Sequence, residues 1–134
     1  MSEQSALRIT RKAIPASAAV MRHALGSFLA ALDLDGDVII DILTAVGEAL
    51  ANSIEHAYTA SAPRDVTLLA QAHESGLISA CVMDAGSFIR RADRPDRGFG
   101  LRIVRSIASE VALETENGTS LKMLFDPRKM MRRA

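Results

Sequence analysis

One run of residues carries carboxylate, amide and imidazole side chains at spacings that suit chemistry on a helix: DVIIDILTAVGEALANSIEHAY, residues 37–58. In a helix, Glu48 and Asn52 stand one turn apart on the same face. Glu55 and His56 extend this polar stripe. An amide oxygen can bind a hard cation, and a carboxylate can bind a water or take a proton. The stripe therefore predicts either a ligand site or an ordinary solvated helix face.

The same segment carries an apolar stripe, which predicts one long helix packed on a core. Its members recur every three or four positions: Ile39, Leu43, Val46, Leu50, Ile54 and Ala57. Small residues flank the polar stripe at Ala45, Ala49 and Ala51, and they leave room for something bulky to lie on it.

Composition limits the classes of protein to consider. The chain has 134 residues, which is typical of one domain with its own core, and 16 basic residues balance 16 acidic ones. Without net charge, no overall field draws the chain to nucleic acid or to an anionic membrane. A single cysteine excludes an intramolecular disulfide, and no Cys/His cluster has zinc-ligand spacing. No stretch approaches the roughly 18 apolar residues of a membrane span and no leader pattern is present, so we expect a cytoplasmic protein.

The remaining patterns predict strands and helices on both sides of the long helix. The run DLDGD at 33–37 predicts a turn and a helix cap, and Asn117-Gly118 predicts a hairpin turn. We expect the first strand to lie at a sheet edge, and the basic tail at 127–134 to be frayed. The predicted strands are 7–13, 66–72, 77–83, 111–116 and 120–125, and the predicted helices are 16–32, 37–58 and one that follows Gly100, with its apolar pattern running from Leu101 to Val111.

A second chemical signal stands at the end of the 77–83 strand, in the sequence VMDAG. The carboxylate of Asp84 could accept a hydrogen bond from an exocyclic amine such as that of adenine, and Gly86 would let the backbone approach a flat ring. Aspartate and glycine also simply make turns. The pattern alone leaves both interpretations open.

A third signal lies where the chain turns basic and then returns to a helix. Residues 87–97 contain four arginines, and they predict either a lid that meets phosphates or a solvated loop. Gly98 and Gly100 directly precede an amphipathic helix, where bare amides and the positive end of the helix dipole favour phosphate. A Gly-x-Gly pair is by itself a weak motif.

Taken in order, the pieces EALANSIEHAY, VMDAG, GFGLRIV and NGTSLKMLF resemble the GHKL ATP-binding family. More narrowly, the sequence is similar to the bacterial anti-sigma-factor serine kinases of the partner-switching type. The resemblance runs from about Pro15 to Phe125. One departure is Phe88, which stands where the family has the second glycine of Asp-x-Gly-x-Gly.

The resemblance implies a role for each matching position. Glu48 is expected to be the general base, Asn52 the Mg²⁺ ligand, and Asp84 the acceptor for the adenine amino group. The residues expected to bind ATP are Asn52, His56, Asp84, Gly86, Arg97, Gly98, Phe99, Gly100, Leu101 and Thr119.

The resemblance also implies a fold and a function. The fold is a two-layer α/β sandwich, with a mixed, mainly antiparallel sheet and three helices on one face, over a domain spanning 1–134 with its core at about 7–126. The implied activity is Mg-ATP-dependent phosphorylation of a serine on an anti-sigma-factor antagonist of the STAS type. A sigma factor as second partner and a homodimer are also implied. The alternatives are a nucleotide-gated module that transfers no phosphate, and a detached histidine-kinase catalytic domain.

Overall fold

The computed structural model describes residues 5–58, 64–84, 98–115 and 118–130, with the backbone alone at 56–58 and 98–100. The strands are β1 (Ser5–Lys12), β2 (Asp65–Ala72), β3 (Ile78–Asp84), β4 (Glu110–Glu114) and β5 (Thr119–Phe125). The helices are α1 (Pro15–Ala30), α2 (Gly36–Tyr58), α3 (Gly98–Ile107) and α4 (Pro127–Met130).

The five strands form one sheet in the order β1-β2-β3-β5-β4. Each of the four pairings between neighbours is antiparallel. β1 lies at one edge, as its alternating pattern predicts, and β4 lies at the other. The chain reaches β4 through α3 and then returns, so that β5 lies inside the sheet next to β3.

Buried and more exposed residues alternate along the central strands, so one face of the sheet is apolar. The helix layer covers that face. Every second residue of β3 is buried, from Ile78 to Asp84, and β2 and β5 show the same alternation. α2 supplies most of the covering surface, and its apolar face is broader than the predicted stripe. The fully or nearly fully buried apolar residues of α2 are Val38, Ile42, Ala45, Val46, Ala49, Leu50 and Ile54.

The connection between α1 and α2 forms the predicted turn and cap. The Asp37 backbone N–H donates a hydrogen bond to Oδ1 of Asp35 at 2.9 Å, which satisfies one of the amides that a helix start leaves without a partner. Asp33 adopts a left-handed conformation, with φ of 61°, and aspartate tolerates this better than most residues. The sharp turn places α1 beside α2.

The β2–β3 hairpin turns through Gly76. The His73 N–H donates to the Leu77 carbonyl at 2.9 Å, and the Gly76 N–H donates to the His73 carbonyl at 2.9 Å. The φ of Gly76 is +96°, which is a conformation that residues with a Cβ rarely adopt. This turn fixes the register that brings Asp84 to the far end of β3.

The predicted two-layer α/β fold is confirmed, with two differences. The sheet is predicted to be mixed and mainly antiparallel, whereas all four pairings of the described strands are antiparallel. The described residues contain four helices instead of three, because α4 follows β5 directly. The prediction that the end of the chain is frayed is therefore wrong for residues 128–130. Pro127 and Met130 are both buried and fix this short helix, whereas Arg128 and Lys129 between them are exposed. Among the described helices, none combines the length and the apolar character needed to cross a membrane.

Candidate functional site

A pocket opens between α2, the start of α3 and the ends of the central strands. The cavity is small, with a volume of about 20 Å³, and it is open to solvent on one side. The side chains that line it are Ala49, Asn52, Ser53, Val82, Asp84, Leu101, Leu113, Thr119 and Leu121. Four of the residues predicted for a nucleotide site, Asn52, Asp84, Leu101 and Thr119, are thus brought to one pocket from four elements, α2, β3, α3 and β5.

The floor of the pocket is polar although it is buried. Asp84 and Thr119 are each 7% exposed, and they lie directly opposite each other as partners on β3 and β5. Asp84 accepts a hydrogen bond at Oδ2 from the Ser53 hydroxyl of α2, with an oxygen–oxygen distance of 2.7 Å. The Oγ1 atom of Thr119 is buried and has no hydrogen-bond partner among the described residues. A buried polar atom without a partner is destabilising, so this hydroxyl marks a place where a ligand could supply the missing bond.

The side walls of the pocket are apolar. Val82 and Leu121 project from β3 and β5 on the helix-facing side, and Leu113 projects from β4. Ala49 contributes a small side chain from α2, as predicted, and it keeps the helix from filling the space. A narrow apolar slot with a few polar groups at its base suits a flat, partly polar ring.

The predicted polar stripe of α2 is only partly turned into this pocket. Asn52 lines it and is half-buried. Glu48 is also half-buried one turn earlier, but it is not among the residues that line the pocket. The backbone places His56 one turn beyond Asn52, and its side chain lies outside the described residues.

The glycine pair predicted to bind phosphate lies in the first turn of α3. Gly98, Phe99 and Gly100 begin this helix, and Leu101 in the same turn lines the pocket. The positive end of the α3 dipole therefore lies at the pocket. The predicted site residues Gly86 and Arg97, together with Phe88, lie outside the described residues.

Ser53 is the functional candidate that the sequence interpretation missed. A signal for it was present, because Ser53 follows Val46 and Leu50 at helical spacing. It is a polar residue next to Ile54, on the side of the helix that the apolar stripe assigns to the core. A polar residue on that side predicts a buried hydrogen-bond partner on a neighbouring element, and that partner is Asp84.

The donor set around the pocket fits a magnesium ion only together with a phosphate ligand. Within the described residues, no three His, Cys, Asp or Glu side chains cluster as a metal site. Asn52 offers a single amide oxygen at the pocket wall. Mg²⁺ typically takes one or two protein ligands and completes its shell with waters and substrate phosphates. The site is therefore suited to a metal–nucleotide complex and not to a free ion.

The fold and pocket define a nucleotide-binding ATPase domain, and comparison with known proteins agrees. A family model described as histidine kinase-like ATPase domain matches residues 12–125. The chain belongs to this family, and the resemblance to the GHKL ATP-binding family is confirmed.

Relatives within that family are anti-sigma factors. The chain is 29% identical over 114 residues to the anti-sigma F factor of Priestia megaterium, covering 75% of this chain and 78% of that protein. It is 29% identical over 119 residues to the anti-sigma F factor of Clostridium beijerinckii, covering 80% of this chain and 82% of that one.

Two solved structures have a fold similar to that of this chain. The RsbU and RsbW domains of Rv1364c from Mycobacterium tuberculosis superpose with a TM-score of 0.74 and 25% identity, over 90% of this chain and 32% of that chain. This chain therefore spans about a third of that longer protein. A blue-light activated histidine kinase domain from Erythrobacter litoralis has a TM-score of 0.62 at 21% identity, over 87% of this chain and 62% of that one, which is a likeness of fold.

Proposed function

We propose that this protein is an anti-sigma factor with ATP-dependent serine kinase activity, which phosphorylates a STAS-type antagonist in a partner-switching pathway. The observation that carries the proposal is the pocket in which Asn52, Asp84, Leu101 and Thr119 meet, with the buried Thr119 hydroxyl in need of a partner. Two anti-sigma F factors among the relatives support the choice of pathway.

The proposed transfer follows from the chemistry of the residues around the pocket. Bound ATP supplies the γ-phosphoryl group and a chelated Mg²⁺ that neutralises phosphate charge. Asp84 accepts from the adenine amino group and Thr119 bonds the same ring edge. Asn52 would hold the metal through its amide oxygen, and the amides of Gly98, Gly100 and Leu101 would bind the phosphates.

Glu48 is proposed to act on the protein substrate. Its carboxylate takes the proton from the attacking serine hydroxyl while a bond forms between that oxygen and the γ-phosphorus, and the bond from the γ-phosphorus to ADP breaks. Glu48 is half-buried and does not line the pocket. This position is consistent with a group that contacts the protein substrate and not the adenine ring.

The biological consequence is a switch between two partners. Unphosphorylated antagonist binds the kinase, and phosphate on its serine places negative charge in that interface and weakens the complex. The kinase is then available to a sigma factor. We propose that it acts as a cytoplasmic homodimer, and that residues 1–134 form one domain.

Labelled ATP and purified candidate antagonists test the proposal. We expect acid-stable label on a serine of one antagonist in the presence of Mg²⁺. Glu48→Gln should lower the transfer rate by about 10²- to 10⁴-fold, the usual contribution of a general base, with ADP affinity unchanged. The control Glu55→Gln changes an exposed carboxylate further along α2 and should leave transfer unaffected.

Each other outcome points to a different function. Acid-labile label on histidine would replace the serine kinase with a histidine kinase. Nucleotide-dependent capture of the antagonist without any transfer would favour a gated binding module. Full activity of Glu48→Gln would show that another group takes the proton.

A further inference from the structure

The hydrogen bond from Ser53 to Asp84 is the polar contact at the pocket floor that the proposed reaction does not yet use. Both side chains are buried, with exposures of 8% and 7%, and the 2.7 Å distance is short, as in bonds from a hydroxyl to a carboxylate. The contact joins α2 to the end of β3, two elements from opposite layers of the fold.

The sheet holds the backbone of Asp84 independently of the hydrogen bond from Ser53. Asp84 is the last residue of β3, and it is paired on one side with Val66 of β2 and on the other with Thr119 of β5. The sheet does not set the rotation of the carboxylate about its side-chain bonds, and terminal carboxylate torsions are soft. A hydroxyl bonded to Oδ2 restricts this rotation and favours one plane for the carboxylate.

The orientation of a carboxylate decides which purine it can recognise. A carboxylate only accepts hydrogen bonds, so it favours a base that presents an amino group and opposes one that presents a carbonyl oxygen. It also discriminates between a 6-amino purine and one with only hydrogen at that position. This second discrimination depends on how firmly the carboxylate is positioned. The hydrogen bond that the analogue lacks contributes most to affinity when its acceptor is held in place.

We propose that Ser53 is a positioning residue for base selection: its hydroxyl holds the Asp84 carboxylate so that it accepts from the 6-amino group of adenine. The inference rests on the proposed nucleotide function and names its selectivity determinant. Ser53 acts through Asp84 and has no direct role in phosphoryl transfer. Its effect is therefore on the difference in affinity between two bases, and not on nucleotide binding in general.

Calorimetry with two diphosphates tests the inference without phosphoryl transfer. The ligands are Mg-ADP and the Mg complex of purine riboside 5′-diphosphate, which lacks only the 6-amino group. We expect the wild-type protein to prefer ADP by about tenfold or more, the worth of one hydrogen bond to a charged group. Ser53→Ala should reduce the preference to about threefold or less by weakening ADP, while the analogue changes by less than about twofold.

Two further variants separate positioning from general structure. Ser53→Cys keeps the shape of the side chain, with a somewhat larger atom at its end and a weaker donor, and we expect an intermediate preference. Ser17→Ala removes a serine of α1 that is equally buried, at 7%, and does not line the pocket. It should change neither affinity.

The outcomes distinguish this inference from the proposed function beneath it. If the wild-type protein binds neither ligand, both are wrong. If it binds both with equal affinity, nucleotide binding stands and the base selection is wrong. If Ser53→Ala weakens both ligands by the same factor, or changes neither, Ser53 has no positioning role.

Discussion

Thr119 carries a hydroxyl group that is buried without a hydrogen-bond partner among the described residues. Removing a hydroxyl from water without a new partner costs roughly 1–3 kcal/mol. The fold tolerates this cost at the one position of β5 that faces Asp84 across the sheet. Residues that lower the stability of the free protein are expected at binding sites, because the ligand restores what is missing.

Replacing Thr119 with valine should separate stability from binding. Valine has nearly the same shape and no hydroxyl, so the free energy of unfolding without ligand should rise by about 1 kcal/mol or more. Affinity for ADP should fall by about tenfold, because one hydrogen bond of about 1.4 kcal/mol is lost. Chemical denaturation and calorimetry measure the two quantities.

A threonine on β2, which is separated from β5 by β3, provides the control for this substitution. Thr67 on β2 has its hydroxyl 2.8 Å from that of Thr10 at the sheet surface, away from the pocket. Thr67→Val should change the free energy of unfolding by less than about 0.5 kcal/mol and leave ADP affinity unchanged. A loss of stability in Thr119→Val would mean that its hydroxyl already has a partner.

At the scale of single residues, short sequence motifs single out acids and glycines, and they do not reveal the side chains that support them. Asp84 and Thr119 stand in short motifs, so they are recognisable one by one. Ser53 has no motif, and its importance depends on the distance from α2 to the end of β3, which only the folded chain defines. The roles of Gly86 and Arg97 stay predictions, since both lie outside the described residues.

At the scale of elements, long periodic segments are predictable and short ones are not. α2 is predicted at 37–58 and observed at Gly36–Tyr58. The agreement is close because many residues contribute to the same helical period. α4 has four residues, too few to show a period, and it is held by the burial of Pro127 and Met130. The apolar pattern of α3 continues to Val111, but the helix ends at Ile107 because the Ser109 N–H bonds the Leu124 carbonyl across the sheet.

Substituting alanine at Gly26 and at Gly76 should change the free energy of unfolding in opposite directions. Gly26 lies inside α1, and a Cβ there would meet only Leu43, at an ordinary 3.7 Å. Gly26→Ala should therefore raise the free energy of unfolding by about 0.5–1 kcal/mol, because alanine restricts the unfolded chain and favours the helix.

Gly76 is the opposite case, although its surroundings leave a Cβ more room. No heavy atom lies within 4 Å of the Cβ position, but φ is +96°. Gly76→Ala should lower the free energy of unfolding by about 1–2 kcal/mol through backbone strain alone. Urea denaturation of both variants measures the two effects. Equal signs would mean that available space, and not backbone conformation, decides the cost.

At the scale of the whole molecule, the two ends of the chain are tied into one sheet. β1 comes from the start of the chain and β5 from its end, and they are separated in the sheet by β2 and β3. α2 covers this sheet and also packs against α1 and α3, so its apolar face belongs to one continuous core. The described residues share one hydrophobic core and cannot be divided into two parts that each have a separate one. We therefore expect one cooperative unfolding transition.

Nucleotide should stabilise that single unit as a whole. A ligand that binds only the folded state at 100 times its dissociation constant adds about 2.7 kcal/mol, which for a chain of this length raises Tm by roughly 10 °C. We expect this rise with Mg-ADP, with circular dichroism and calorimetry reporting the same midpoint. In Asn52→Ala the rise should no longer depend on Mg²⁺, because the amide that holds the metal is absent. Two separate transitions would contradict the single domain, whereas one transition unmoved by nucleotide would contradict the pocket.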